Sequence, residues 1–149
     1  MKNNLVSGSF RDPKGHVYIK GQRVFRTVTA KGIEDFKALK KTGILDHLVN
    51  EGLLVPWNEV LGIDLDGDER NAVLILEHEF IDFISYPYEW SFSSLKAAAL
   101  LHLKIQIKCL EKGVTLSDSS AYNIQFINAK PIFIDHLSFK PYQNGEFWV

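Results

Sequence analysis

Polar and apolar residues alternate in the first part of the chain, in a segment rich in β-branched and aromatic side chains that runs from His16 to Val28. A Gly-Gln pair at 21–22 interrupts the segment near its middle. Alternation bounded by turn residues is typical of strands. The pattern therefore predicts two strands, at 16–20 and 23–28.

The next apolar residues are spaced three and four positions apart, from Ile33 to Val49. This spacing favours helix, and the glycines at 43 and 52 indicate a break and a stop. The segment 71–80 comes after a turn-rich stretch and is nearly all apolar at its centre, so it predicts an interior strand.

The segment 93–113 carries two conflicting signals. Residues 102–108 alternate with period two, which suggests a strand. The longer segment begins with serines, continues through an alanine and leucine run, and ends at Lys112 and Gly113, which are helix signals. We predict a helix over 95–112 that is apolar on most sides and is therefore mostly buried.

Two short apolar strands, 123–127 and 131–135, flank a predicted three-residue turn centred on Ala129. In this register Asn123 lies directly opposite Asp135, and opposed residues have Cβ atoms roughly 4.5–5.5 Å apart. The register is favoured because it gathers four large apolar residues on one face. They are Ile124, Phe126, Ile132 and Ile134.

Asp118 precedes Asn123 in a serine-rich turn that can fold over the same end of the hairpin. Two neighbouring carboxylates repel unless a cation lies between them. Oxygen ligands without histidine or cysteine suit Mg²⁺, so Asp118, Asn123 and Asp135 are candidate site residues. Taken singly, each has a structural alternative: Asp118 can cap a turn, Asn123 can begin a strand, and Asp135 can end one.

Composition and charge exclude several classes of function for this chain. The net charge is −1 and Cys109 is the only cysteine, so a basic nucleic-acid-binding surface and a disulfide framework are not expected. The first residues lack the apolar core of a signal peptide, and no stretch of 18 apolar residues occurs. We expect a cytoplasmic protein that binds neither nucleic acid nor a membrane.

Three other segments contain residues that could bind a metal ion or a partner, but their patterns favour structural roles. Glu77-His78-Glu79 ends a strand, where alternation separates the histidine from the glutamates. The acidic segment 64–69 resembles a calcium loop, but the position that requires glutamate is Ile75, so an acidic turn is expected. The aromatic segment 84–90 predicts a packed loop, whose exposed rings could alternatively dock a partner.

The spacing Asp118-x4-Asn123, a hairpin, and then Asp135 resembles the catalytic loop and metal-binding aspartate of the protein-kinase-like superfamily, above all its aminoglycoside phosphotransferase branch. The resemblance implies that Asp118 accepts the substrate proton, and that Asn123 and Asp135 hold Mg²⁺ bound to ATP or GTP. It also implies phosphate-binding roles for Gly8 and Ser9 in the first hairpin and for Arg26 on the third strand.

The implied fold class is α+β, a truncated kinase-like fold in a single domain over 1–149. Residues 1–80 would form a small antiparallel sheet with helices, and 81–149 would form a partial second lobe with a long buried helix and the catalytic-loop-like hairpin. Leu116 and Ser117 stand where kinases carry His-Arg or His-Gly, and Arg26 stands where they carry lysine. These departures favour a degenerate domain that binds a nucleotide over one that transfers phosphate.

A longer similarity covers residues 83–126 and 131–139, which look like the N-terminal region of bacterial, nodulation-related proteins that continue into a SAM-dependent methyltransferase domain. No glycine-rich SAM-binding loop occurs here, so we do not expect methyl transfer by this chain. The alternative to nucleotide binding is therefore a non-catalytic interaction module. A homo-oligomer or a protein partner is expected to cover the surface left by the missing lobe, near Phe139, Phe147 and Trp148.

Overall fold

The computed structural model describes residues 4–6, 9, 12–65 and 70–148. The chain divides into two compact units, of which the first comprises Met1–Glu34 and Pro56–Phe80 and the second comprises Asp35–Val55 and Ile81–Val149.

The first unit is built on a five-stranded antiparallel sheet with the order β1-β2-β3-β5-β4. The strands are β1 Asn4–Leu5, β2 Val17–Lys20, β3 Arg23–Thr29, β4 Trp57–Val60 and β5 Ala72–His78. The tight β2–β3 turn uses Gly21 at φ 63°, which a glycine adopts without strain. The predicted strands at 16–20, 23–28 and 71–80 are confirmed, and β5 is interior because it pairs on both sides.

The core of this sheet is formed by side chains that alternate toward one face. Tyr18, Phe25, Leu65 and Ile75 are buried together, and Val60, Ile63 and Ala72 pack at their edge. Removal of this apolar surface from water is the main force that holds the strands in register.

The second unit contains most of the helical residues and two small antiparallel sheets. Its elements are α1 Ile33–Thr42, whose first two residues are assigned to the first unit, α2 Ile44–Asn50, α3 Phe92–Leu110, β6 Val114–Leu116, β7 Ile124–Ile127, β8 Lys130–Phe133 and β9 Phe139–Pro141. Strand β6 pairs with β9, and β7 pairs with β8. The predicted break at Gly43 is confirmed, since this residue separates α1 from α2 at φ 69°.

Helix α3 settles the ambiguous segment in favour of helix. Ser91 caps it by accepting a hydrogen bond from the Ser94 N–H at 3.2 Å. One face is buried against β6 and β8, but the prediction that the helix is mostly buried is wrong. Packing covers only one side of a helix that is apolar on nearly all sides.

The architecture is a mixed α+β fold with small antiparallel sheets and, among the described residues, three α-helices. None of the helices in that part of the chain combines the length and the apolar composition that a membrane span requires.

Candidate functional site

The β7–β8 hairpin has a two-residue turn in place of the predicted three-residue turn. Asn128 and Ala129 both have positive φ angles, 50° and 64°, which are the values of a type I′ turn. Ile124 consequently pairs with Phe133 and Gln125 pairs with Ile132, so the predicted register is wrong by one residue. The backbone twist of a type I′ turn matches the twist of the paired strands. The hairpin adopts this turn although its second position is Ala129 and not glycine.

The two predicted metal ligands nevertheless lie close together, because a serine links them. Asn123 Nδ2 donates to Ser138 Oγ at 3.2 Å, and Ser138 Oγ donates to Asp135 Oδ2 at 2.6 Å. The other carboxylate oxygen of Asp135 accepts the Leu137 N–H at 2.9 Å. Asn123 and Asp135 are therefore joined through a buried hydroxyl and do not face each other across the strands.

Asp118 caps its own turn by accepting the Ser120 N–H at 2.8 Å, as its structural alternative predicted. It also acts on His102, a buried residue of α3 whose ring meets Phe133 edge-on at 5.6 Å between centroids. Burial lowers the pKa of His102, and the carboxylate of Asp118 opposes that shift. Asp118 thus combines a structural hydrogen bond with an electrostatic influence on a buried imidazole.

Of the three candidate Mg²⁺ site residues, Asn123 and Asp135 are the two that hydrogen bonds link at this end of the hairpin. Among the described residues, no three aspartate, glutamate, histidine or cysteine side chains converge as a metal centre. Each oxygen of Asp135 already accepts an internal hydrogen bond, although a carboxylate oxygen has a second lone pair. Any Mg²⁺ held here would need further oxygen ligands, which the phosphates of a nucleotide can supply.

The candidate phosphate-binding residues belong to the first unit and make internal contacts there. Arg26 is buried on β3, and its Nη2 donates to Asp12 Oδ2 at 2.5 Å. Ser9 Oγ donates to the Val6 carbonyl at 2.8 Å and accepts from the Val17 N–H at 2.9 Å. Gly8 lies outside the described residues.

Other candidate residues have structural partners or lie outside the described chain. Glu77 accepts hydrogen bonds from Arg23 at 2.6 and 2.8 Å, and this pairing lowers the pKa of Glu77. Within the acidic segment 64–69, Asp66 and Asp68 are not among the described residues.

A buried amide that the sequence analysis did not single out connects α3 to β6. Gln106 Nε2 donates to Thr115 Oγ1 at 2.9 Å, and Gln106 Oε1 accepts the Leu116 N–H at 3.0 Å. The sequence analysis did not identify Gln106 or Ser138 for the same reason. A single polar residue within an apolar pattern does not indicate which residue it will bind. The Gln106 contacts fix the face of α3 that meets the strands.

The face of α3 directed away from those strands is apolar and exposed. Large side chains at helical spacing form it, with Phe92 81% exposed, Leu100 55% and Ile107 59%. We call it the α3 face, and its large apolar members are Phe92, Leu95, Leu100, Leu103, Ile107 and Leu110. The helix contains three lysines and no acidic residue.

The loop before α3 is held tightly to β7. Gln125 Oε1 accepts the Ser85 N–H, and Gln125 Nε2 donates to the Ser85 carbonyl, both at 3.0 Å. Trp90 Nε1 donates to Ser85 Oγ at 2.9 Å, and its ring meets Phe126 edge-on at 5.0 Å between centroids. The loop is packed at these residues, while other rings of the segment remain exposed.

Comparison with known proteins gives one informative similarity. No protein-family model matches the chain. Over 143 residues, or 96% of this chain, it is 42% identical to the nodulation protein NoeA of Rhizobium meliloti (strain 1021). The match spans only 30% of NoeA, so the chain corresponds to part of a longer protein. The expected similarity to a nodulation-related protein is confirmed.

Proposed function

We propose that the chain is a non-catalytic interaction module whose α3 face docks a second protein domain. The observation that carries the proposal is the exposed apolar surface of α3, on the side opposite its buried residues. Contiguous apolar patches beyond a few hundred Å² are uncommon on monomeric proteins and mark interaction sites. A fully buried leucine or phenylalanine contributes about 1.5–3 kcal/mol, so partial burial of several such residues can support a stable contact.

The similarity to NoeA supports a protein domain as the occupant. The matched region makes up 30% of NoeA, so in that protein it is covalently joined to a much longer remainder. A domain resembling that remainder, whether on the same polypeptide or on a separate one, would be held near the α3 face. The buried centre of such an interface is its most apolar part, while the polar rim stays accessible to water.

Charge indicates what the partner surface should carry. Lys96 lies within the face, and Lys104 and Lys108 lie along one edge, where both contact Glu51, at 3.7 and 2.8 Å. Because α3 has no acidic residue of its own, an apolar partner surface with an acidic rim is the complementary one.

In-cell photo-crosslinking tests this proposal with the intact protein. A photoreactive amino acid would replace Leu103 on the α3 face or, as a matched control, Leu61, which is 93% exposed in the first unit. We expect position 103 to crosslink to a domain that resembles the remainder of NoeA, identified by mass spectrometry of the adduct, and position 61 not to do so.

Three results would contradict the proposal: an adduct between two copies of the chain, an adduct with lipid, or equal labelling at both positions. A Leu103→Glu variant provides the complementary test. Glutamate has a helix propensity close to that of leucine, and position 103 is exposed. The variant should therefore unfold like the wild type but should no longer bind the partner.

A second candidate function is Mg²⁺-nucleotide binding by a degenerate kinase-like domain. It is favoured by the hydrogen-bonded link from Asn123 through Ser138 to Asp135, which brings the two candidate ligands together. The order of elements, with helices α1 and α2 between the third and fourth strands, also agrees with that resemblance.

Thermal unfolding with and without Mg²⁺ and ATP or GTP tests this second candidate. Ligand at a hundred times its dissociation constant adds about 2.7 kcal/mol, which raises the midpoint by about 5–10 °C for a chain of this size. The rise should require Mg²⁺ and should be absent in Asp135→Asn. A midpoint that neither nucleotide changes would exclude this function for the isolated chain.

A further inference from the structure

We propose that Tyr86, Tyr88 and Tyr122 form a recognition platform for an extended, proline-rich peptide segment that carries a basic residue. These residues are not part of the α3 face, and the proposal does not depend on the function proposed for that face. We call these three residues the tyrosine platform.

Two of the rings stack on an exposed loop, and the third belongs to the segment that binds this loop. Tyr86 and Tyr88 are parallel, with ring centroids 5.5 Å apart and an interplanar angle of 5°. Tyr88 is 75% exposed and Tyr122 is 58% exposed. Tyr122 lies three residues before Gln125, whose side chain binds Ser85, the residue next to Tyr86.

The platform is preorganised, since the loop that carries two of its rings is held by the chain itself. Glu89 Oε2 accepts the Tyr86 N–H at 2.7 Å, and the Glu89 N–H returns a bond to the Tyr86 carbonyl at 2.8 Å. Pro87 restricts the backbone between them, and Gln125 binds both backbone groups of Ser85. A backbone held in this way loses little conformational entropy when a ligand binds.

Such a surface matches the polyproline II helix. That helix has three residues per turn, so its pyrrolidine rings lie on regular faces that pack against aromatic side chains. It makes no internal hydrogen bonds, so its carbonyl groups can accept from tyrosine hydroxyls. The ligand is already extended before binding, which keeps the entropic cost of association low.

The local charge selects a basic peptide over nucleic acid, the other common ligand of exposed aromatic rings. Asp82 and Glu89 are exposed acidic residues of the same segment, and no lysine or arginine occurs between 81 and 95. Bases stack on aromatic platforms only where cations also hold the phosphates. Here the carboxylates would repel phosphates, whereas they would attract an arginine or lysine of a peptide.

Calorimetric titration of the intact chain with a synthetic peptide library tests the proposal. The library has two prolines three positions apart and a flanking arginine, with the other positions randomised. Matched libraries carry alanine in place of the prolines, or glutamate in place of the arginine. We expect measurable binding of the first library and at least about tenfold weaker binding of the other two.

The protein variants separate the platform from other surfaces. Tyr88→Ala should weaken binding by about tenfold or more, as removal of a central aromatic residue commonly does. Tyr88→Phe keeps the ring and tests the hydroxyl alone. Tyr142→Ala makes the same change at another exposed tyrosine, and Leu103→Glu alters the α3 face; both should leave peptide binding unchanged.

Several outcomes would overturn the proposal. They are no binding of the proline-arginine library, equal binding of the alanine library, and equal loss in Tyr88→Ala and Tyr142→Ala. Binding of a neutral hexasaccharide in place of the peptide would also overturn it, because the rings would then be a sugar-stacking surface.

Discussion

Gln125 and Ser85 are joined by two hydrogen bonds of 3.0 Å, so that one buried side chain satisfies both backbone groups of a loop residue 40 positions away. The pairing imitates the contact that a neighbouring strand would make. It explains how a segment with little secondary structure holds its aromatic residues in fixed positions.

Replacement of Gln125 by glutamate should destabilise the protein by about 2–3 kcal/mol at neutral pH. One oxygen would still accept the Ser85 N–H, but the other would place negative charge against the Ser85 carbonyl. Urea denaturation measures the loss, which should shrink in acid as the new carboxyl becomes protonated. Gln22→Glu is the control at an exposed glutamine, and equal stability of both variants would contradict the role of Gln125.

Ser138→Ala should cost about 1–2 kcal/mol, because the hydroxyl is the donor to a carboxylate oxygen of Asp135 and the acceptor for Asn123. Chemical denaturation compares it with Ser93→Ala, an exposed serine on α3 whose replacement should be nearly neutral. If Ser138→Ala were equally neutral, the link between Asn123 and Asp135 would have no energetic importance.

His102→Leu should make the free energy of unfolding less dependent on pH in mildly acidic solution. Burial lowers the pKa of His102 below the ordinary 6.5, so the unfolded chain takes up a proton before the folded chain does. Wild-type stability should therefore fall as the pH decreases through 6.5 toward the lowered pKa, and this part of the decline should vanish in the variant. Thermal midpoints across that range provide the measurement, and parallel curves would contradict the prediction.

Cys109 should be unreactive in the folded protein. It is fully buried on α3, and burial raises the pKa of its thiol to about 12, so almost no thiolate is present near neutral pH. A chromogenic disulfide reagent at about pH 8 should label no thiol until denaturant is added, and one per chain afterwards. Fast labelling of the native chain would show that α3 opens readily.

Ala129→Gly should stabilise the protein by about 1 kcal/mol. Ala129 has φ 64°, a conformation that costs an L-residue roughly 1–2 kcal/mol, part of which glycine returns as entropy of the unfolded chain. Asn-Gly is the preferred pair for a type I′ turn. A midpoint about 2–4 °C higher is expected, and a lower midpoint would contradict the observed turn.

This turn also shows where sequence reasoning failed. Asn128 correctly indicated a turn with positive φ, but an alanine in the same conformation is not foreseen from local preference, so the predicted register was wrong by one. The mistake moved Asn123 and Asp135 into direct opposition. Their actual link runs through Ser138, which is distant from Asn123 in sequence and carried no local signal.

Local signals succeeded where steric rules act over a few residues. Gly43 separates α1 from α2 as expected, and serine at the start of α3 outweighed the period-two pattern at 102–108. The same reasoning could not tell which side of α3 would be covered, since its apolar residues surround the axis. That choice depends on neighbours that no local pattern describes.

A helix that is apolar on nearly all sides has a rotational ambiguity, because hydrophobic burial alone would accept several orientations about its axis. Gln106 removes this ambiguity, because only one rotation lets its amide meet both Thr115 and the Leu116 N–H. Any other rotation would leave the N–H of buried Leu116 without this acceptor. A single polar residue thus decides which leucines enter the core and which remain outside. Evolution could redirect the exposed side of α3 by moving one glutamine.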